Sequence, residues 1–331
     1  PPLKIKERER RLAPPTMPQP PFLMGIFGGR GAGKTTSLIK LIRWYQDERY
    51  RAFDRIIVFS PTHVEDPKWK ALADEDLHAT LELHADYSDA DLNKIKTEQA
   101  DALMGFDRYK EAITAYKKFC RKKGRTEGLT EQELILLHEY DFSDPRESGR
   151  YENGVPSALV IFDDQLGNTM VYKPNCNNEV GRTTFRHRHS NISMVFLNQA
   201  YKNGLPKGLR DNVNCMILFA NKSEGEKRAV AEELATYVSI DDLVTMWEFA
   251  TEQEDHGFFM IQFDPKRPEW RFRRNFNQLI VPSRRMVEKR DAEREDTEKE
   301  RGSGEDRQDH QGRKKAKTED AQEQHQRVPL H

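Results

Sequence analysis

The chain has 331 residues, enough to bury a substantial core as one large domain or two small ones. Its 54 Lys and Arg against 55 Asp and Glu give a formal net charge of -1, which excludes a global attraction to nucleic acid or membrane and leaves such binding to local clusters. Three scattered cysteines, Cys120, Cys176 and Cys215, exclude a disulfide framework or structural zinc site, and no apolar run reaches a membrane span of about 20 residues, so the chain reads as soluble and intracellular.

Residues 1–20 join a basic start, "LKIKERERR", to the Pro-rich "APPTMPQPP" and read as an extended, semi-rigid lead-in. "FLMGIFG", from Phe22, is a nearly continuous apolar run, as expected of a buried parallel strand. "TTSLIKLIRWYQDE" follows as a helix, with Leu38, Leu41, Ile42 and Tyr45 at helical spacing. "RIIVFSPT" is a second buried strand closed by Pro61, and the alternating "ATLELHAD" reads as a third. From Ser88 to Tyr140 the pattern is helical and charged, broken at "KKGRTEG", which places a helical insert at about 88–150.

"ALVIFDDQ", "ISMVFLNQ" and "CMILFANK" are three further apolar strands, each ending in polar residues. "EGEKRAVAEELATYV" and "IDDLVTMWEFATEQ" are helices, and "GFFMIQFD" with "WRFRRNF" forms a closing hairpin. From about Ser283 to the end the sequence is charge-rich with few large apolar residues, so it reads as a disordered polyampholyte tail. Its basic cluster of Arg313, Lys314, Lys315 and Lys317 is either a nuclear-import or DNA-contact patch or simply a solvated segment. Strands alternating with helices predict an α/β domain over 21–282, with a mainly parallel central sheet and helices on both faces. In such sheets ligands lie beyond the carboxyl ends of the strands, where the polar strand ends gather.

"GGRGAGKT" satisfies G-x-x-x-x-G-K-[ST] and stands between a strand and a helix, as a phosphate cradle requires. Backbone N–H groups of such a loop wrap phosphates, and the helix N-terminus adds partial positive charge. The candidate nucleotide contacts are Gly28, Gly29, Arg30, Gly31, Ala32, Gly33, Lys34, Thr35 and Thr36. Lys34 is expected on the β- and γ-phosphates and the Thr35 hydroxyl on Mg2+. Asp163 and Asp164 follow an apolar strand, where paired acids are costly without a cation. Asp163 is the candidate metal residue and Asp164 the group that orients or deprotonates water. Gln199, at the end of the next strand, is a candidate γ-phosphate sensor. Arg182, Arg186 and Arg188 precede that strand; one of them could stabilise transition-state charge on a neighbouring subunit, with Arg188 and then Arg186 favoured. The other readings are DNA phosphate contacts or ion pairs with surface acids. Lys202, Lys207 and Arg210 on "YKNGLPKGLRDN" are candidate DNA-backbone contacts, set against a surface loop with ordinary charges.

Taken in order, the cradle, "RIIVFSPT", the insert, "VIFDD", "RHRHSNISMVFLNQ" and "LPKGLRDNVNCMILF" resemble the poxvirus-type genome-packaging ATPases of the FtsK–HerA superfamily, whose relatives occur in large DNA viruses, virophages and Maverick/Polinton elements. The resemblance covers about residues 20–265, and its most specific pieces are "FDD", "RHSNIS" before Gln199, and "LPKGLRDN". It implies a RecA-like P-loop NTPase that binds ATP and Mg2+, assembles as a homo-oligomeric ring and drives double-stranded DNA into a capsid. It also implies capsid or portal partners, no membrane, and work in the host nucleus or at the viral assembly site, with the protein carried in the virion in some cases. Residue by residue it supports Lys34 and Thr35 as nucleotide ligands, Asp163 on magnesium, Asp164 as the water-activating acid and Gln199 as the sensor. Relatives in the wider superfamily carry an arginine finger about three helical turns before the sensor, the place of Arg188. The insert and the tail fit no pattern of that family. A helicase or replication-initiation ATPase, and a nucleotide-dependent assembly switch, are the competing readings.

Overall fold

The structure, a computed structural model, describes residues 11–283 except 166, 203, 222 and 253. The basic start before Arg11 and nearly all of the expected polyampholyte tail, including its basic cluster, lie outside the described residues.

One compact unit comprises 1–223 and 247–280. In chain order it holds β1 (Leu23–Phe27), α1 (Lys34–Tyr45), β2 (Arg55–Phe59), α2 (Pro67–Ala73), β3 (Thr80–His84), α3 (Asp89–Arg121), α4 (Glu131–His138), β4 (Ala158–Asp163), α5 (Glu179–Ser190), β5 (Ile192–Asn198), α6 (Lys207–Arg210) and β6 (Cys215–Phe219). After α7 (Glu224–Leu234) and α8 (Ile240–Glu252) come β7 (Phe258–Gln262), β8 (Phe272–Arg274) and β9 (Gln278–Ile280). The described residues of the second unit are 224–246 and 281–283; within it Arg228 of α7 pairs with Asp241 at 3.4 Å.

The described strands form one sheet in the order β3-β2-β4-β5-β1-β6-β7-β8-β9. The first six are parallel, and β7, β8 and β9 continue antiparallel. The strands and the hairpin read from apolar runs are all present. The sheet is also longer than that reading by β9, whose "QLI" is too short to carry a pattern.

Because strand side chains alternate, each apolar strand serves two layers. Met24, Ile26, Ile56, Val58, Leu159 and Ile161 share a core with Leu38, Leu41 and Ile42 of α1 and Trp69 and Leu72 of α2. On the other face Phe59, Phe162 and Phe196 stack across three strands, with ring centroids 5.6 and 5.4 Å apart. Each such fully buried side chain contributes about 1.5–3 kcal/mol relative to exposure. The segment expected as an extended lead-in joins this core from Arg11 onward. Ala13 and Met17 are buried in it, the Tyr45 hydroxyl donates to the Pro18 carbonyl at 2.6 Å, and the buried Arg11 guanidinium pairs with Asp54.

The insert is a helical hairpin. Ser88 caps α3 by accepting the Asp91 N–H at 3.1 Å, and Leu92, Ile95, Gln99, Leu103, Phe106 and Tyr109 recur at three- and four-residue spacing along its buried stripe. At 1.5 Å per residue its 33 residues extend about 50 Å. The helix stops where "KKGRTEG" supplies Lys123 and Gly124 at positive φ, and α4 opens with a capping box between Thr130 and Glu133.

Candidate nucleotide site

Parallel pairing brings four loops to one sheet edge. In register, Phe27 lies opposite Asn198, Phe59 opposite Phe162 and Asp163 opposite Leu197. The residues that follow β1, β2, β4 and β5 therefore meet beyond the carboxyl ends. They are the glycine loop, Ser60, Asp164 and Gln199. β5 intervenes between β1 and β4, so the aspartate pair stands two strands from the glycine loop.

The loop after β1 is shaped by two glycines in particular. A Cβ on Gly28 would lie 2.6 Å from the Phe219 Cβ, so only glycine lets β6 approach there. Gly33 caps α1 at φ 101, in the left-handed region that favours glycine. The Gly28 N–H donates to the Asn198 carbonyl at 3.2 Å, tying the cradle to the end of β5. Gly29, Arg30 and Gly31 are exposed, as is Thr36, whereas Ala32 and Thr35 are half-buried. Lys34 Nζ donates to the Gly28 carbonyl at 2.6 Å and the Gly29 carbonyl at 3.0 Å. Burial lowers its pKa, and Asp163 and Asp164 oppose that shift. Its ammonium therefore shares the field of both aspartates, and a triphosphate would add more negative charge around it.

Asp163 is buried at the end of β4. Trp69 Nε1 of α2 donates to its Oδ2 at 3.1 Å and Ser60 Oγ at 3.3 Å, whereas Oδ1 takes no hydrogen bond from a described residue. Desolvation raises its pKa, with the Asp164 charge adding to the rise and the two hydrogen bonds and Lys34 opposing it. A carboxylate held dry with one oxygen open is chemically suited to a hard divalent cation, and Thr35 offers a second oxygen ligand. Asp164 is exposed, at φ 51, and accepts a hydrogen bond from Gln199 Nε2 at 3.1 Å. The water-orienting and sensing candidates are thus in direct contact.

Sequence reasoning missed the supports of this edge. Trp69 lies on α2, a helix too short to show a period, and holds Asp163 from the far side of β2. Gln165 is buried and donates to the Phe59 carbonyl at 3.2 Å, anchoring the turn after the aspartates. The buried Asn198 side chain donates to the Tyr172 hydroxyl at 3.1 Å. The signal available was the polar residue at each strand end, legible for the aspartates and Gln199 but shared by Ser60, Gln165 and Asn198. Beside the cradle, a cleft of about 450 Å³ is lined by Ala32, Phe219, Thr251, Glu254 and His256.

Arg182, Arg186 and Arg188 lie on α5, which the sequence pattern had left unassigned. Asn178 caps that helix at its amino end, accepting the Gly181 N–H at 3.0 Å, and its last turn leads into the amino end of β5. Arg186 and Arg188 are exposed, Arg188 in that last turn and Arg186 just before it, so they stand toward the end of the sheet opposite their own Lys34. Arg182 pairs with Glu179 at 2.7 Å. His187 is buried with Nδ1 donating to the Thr184 carbonyl at 2.7 Å, and no described group of three or more His, Cys, Asp or Glu gathers to hold a metal.

Of the three candidate DNA contacts, Lys202 and Lys207 are exposed, Lys207 paired with Asp211 at 2.8 Å. Arg210 is buried. Its Nη1 donates to the Leu205 carbonyl at 2.5 Å and the guanidinium lies 4.9 Å from the Tyr201 ring centre. It holds the 201–206 loop in shape rather than offering charge to a polyanion, because a guanidinium satisfies buried carbonyls better than it tolerates burial unpaired.

No protein-family model and no curated protein matches the sequence. Solved structures do resemble the fold. The genome packaging NTPase B204 of Sulfolobus turreted icosahedral virus 2, in complex with AMP, is 10% identical with a TM-score of 0.44, over 79% of this chain and 99% of that one. B204 of Sulfolobus turreted icosahedral virus, a DNA-packaging ATPase, is 9% identical with a TM-score of 0.46, over 77% and 97%. The cytoplasmic domain of the Thermomonospora curvata type VII secretion ATPase EccC is 10% identical with a TM-score of 0.41, over 80% and 26%.

Proposed function

We propose that the protein is an ATPase that moves double-stranded viral or virus-like DNA into a capsid, working as a ring of identical subunits. The observation that carries this reading is the convergence of Lys34, Asp163, Asp164 and Gln199 on one sheet edge, with the aspartates two strands from the cradle. The loop amides, Lys34 and Thr35 hold the triphosphate, and the cleft at Ala32 and His256 receives its base and sugar. Thr35 and Asp163 would hold Mg2+, which when bound would neutralise phosphate charge. Asp164, oriented by Gln199, positions the attacking water and takes its proton.

Arg188 serves the neighbouring subunit, because its helix carries it away from its own cradle and toward solvent. Lys202 and Lys207 offer sequence-independent phosphate contacts. Steady-state ATP turnover with and without long blunt duplex tests the assignment. Wild type is expected to be stimulated by duplex, and Lys34→Ala, Asp164→Asn and Arg188→Ala to be inactive singly, with partial activity regained on mixing the last two. Turnover indifferent to duplex contradicts a DNA motor. Unwinding of forked substrates in place of movement on blunt duplex would make the protein a helicase, and function surviving in Asp164→Asn would make it a switch.

A further inference from the structure

The insert carries a cation cluster that the catalytic edge does not use. Between Glu111 and Glu127 the sequence has no acid, yet residues 117–125, "KKFCRKKGR", hold six Lys and Arg. In a chain of formal charge -1 this is a local excess of one sign. The structure places it at the far end of α3 and in the turn leading to α4.

The hairpin fixes that end. Lys118 Nζ pairs with Glu133 of α4 at 2.8 Å, Phe119 packs on Phe142 with ring centroids 5.5 Å apart, and Lys122 Nζ donates to the Glu127 carbonyl at 2.6 Å. Two of the six cations are thus spent on the fold. Lys117, Arg121, Lys123 and Arg125 are exposed, and none of them has a carboxylate at ion-pair distance among the described residues. Lys117 and Arg121 are one helical turn apart on one face, and Lys123 and Arg125 extend the row into the turn.

We propose that this tip is a second DNA-binding surface, which grips the phosphate backbone of the duplex independently of the nucleotide site. The choice of duplex as the polyanion rests on the DNA-motor reading; the choice of a polyanion rests on the four free cations alone. An anionic membrane fits less well, because interfacial binding needs a broad apolar face beside the charge, and the tip offers only the partly exposed Phe142 ring, packed on Phe119, with no exposed large apolar residue among 117–130. Residues 117–125 hold no Asn or Gln to read adenine, and Lys as well as Arg make up the row, so the contact is read as charge and not as sequence.

Cys120 supplies a built-in reporter. It is exposed between Lys117 and Arg121, whereas Cys176 and Cys215 are buried. The test uses the full chain and a short blunt duplex of arbitrary sequence. Alkylation of Cys120 by an uncharged maleimide is expected to slow several-fold on adding duplex. Replacing Lys117, Arg121, Lys123 and Arg125 together by Gln is expected to weaken duplex binding and to lower the slope of log affinity against log salt by about 3 to 4, one phosphate for each cation removed. ATP turnover without DNA stays at the wild-type level in that variant, which shows that it folds.

Duplex binding with an unchanged salt slope and an unprotected Cys120 overturns the tip assignment and leaves the motor reading standing. A variant that keeps duplex binding but loses binding to phosphatidylserine vesicles, or to a poly-glutamate peptide, overturns it in favour of that polyanion. Wild type that binds no duplex by either readout overturns both.

Discussion

Asp163 is held where a carboxylate is poorly solvated, between Trp69 and Ser60 at the end of a buried strand. Its raised pKa means that the folded protein binds this proton more tightly than the unfolded chain, whose value is near 3.8. The sign follows. The native state loses stability relative to a neutral side chain as pH rises from the unfolded value through the folded one, and the deficit is then constant at higher pH. Asp163→Asn is therefore expected to raise the melting temperature at neutral pH without nucleotide, by about 2–4 °C for each kcal/mol relieved, and to lose that advantage near pH 3. The same variant is expected to lose ATP turnover. Differential scanning calorimetry across pH with a turnover assay checks both; a variant less stable than wild type at pH 7 contradicts the account. Under the proposed metal role of Asp163, this cost is an exchange of stability for activity.

At the scale of the element, the glycine loop depends on close approach as much as on flexibility. Gly28 needs the absence of a Cβ because β6 brings Phe219 to it, and both strands flank the same turn. Gly28→Ala is expected to displace the loop or the Phe219 ring and to weaken nucleotide binding at least tenfold, about 1.4 kcal/mol. Gly29→Ala, with open space around its Cβ position, is expected to be milder. Titration of a fluorescent ATP analogue checks the pair, and equal losses in the two variants contradict the packing explanation.

Elements with a strong period or an apolar run were legible in the sequence, including β1, β4, β5, β6 and the break in the insert at "KKGRTEG". What escaped was short or polar. α2 has one turn fewer than a period needs, and α5, "EVGRTTFRHRHS", buries Val180, Thr183 and Thr184 where an apolar stripe was sought. Lys34 is readable from the glycine spacing that leads into α1, and Asp163, Asp164 and Gln199 because each sits at or just past a strand end. Arg210 was misjudged because charge on a loop looks exposed until its carbonyl partners are known. Trp69 was invisible because its contact with Asp163 spans 94 positions of sequence.

For the whole molecule, the candidate nucleotide edge and the exposed Arg188 of α5 occupy opposite ends of one sheet. A subunit so built presents its cradle at one end and its candidate finger at the other, which suits head-to-tail closure into a ring. Under the proposed function, Lys202, Lys207 and the cationic hairpin tip would give such a ring two places to hold phosphate. Work on DNA, not hydrolysis alone, is the central claim. Displacement of a third strand from a blunt duplex tests it most directly, since the strand is released only when a motor runs along the duplex beneath it. Release that requires ATP, fails in Asp164→Asn and does not depend on the duplex sequence is the predicted result. ATP hydrolysis that proceeds on the same duplex without releasing the third strand would contradict it.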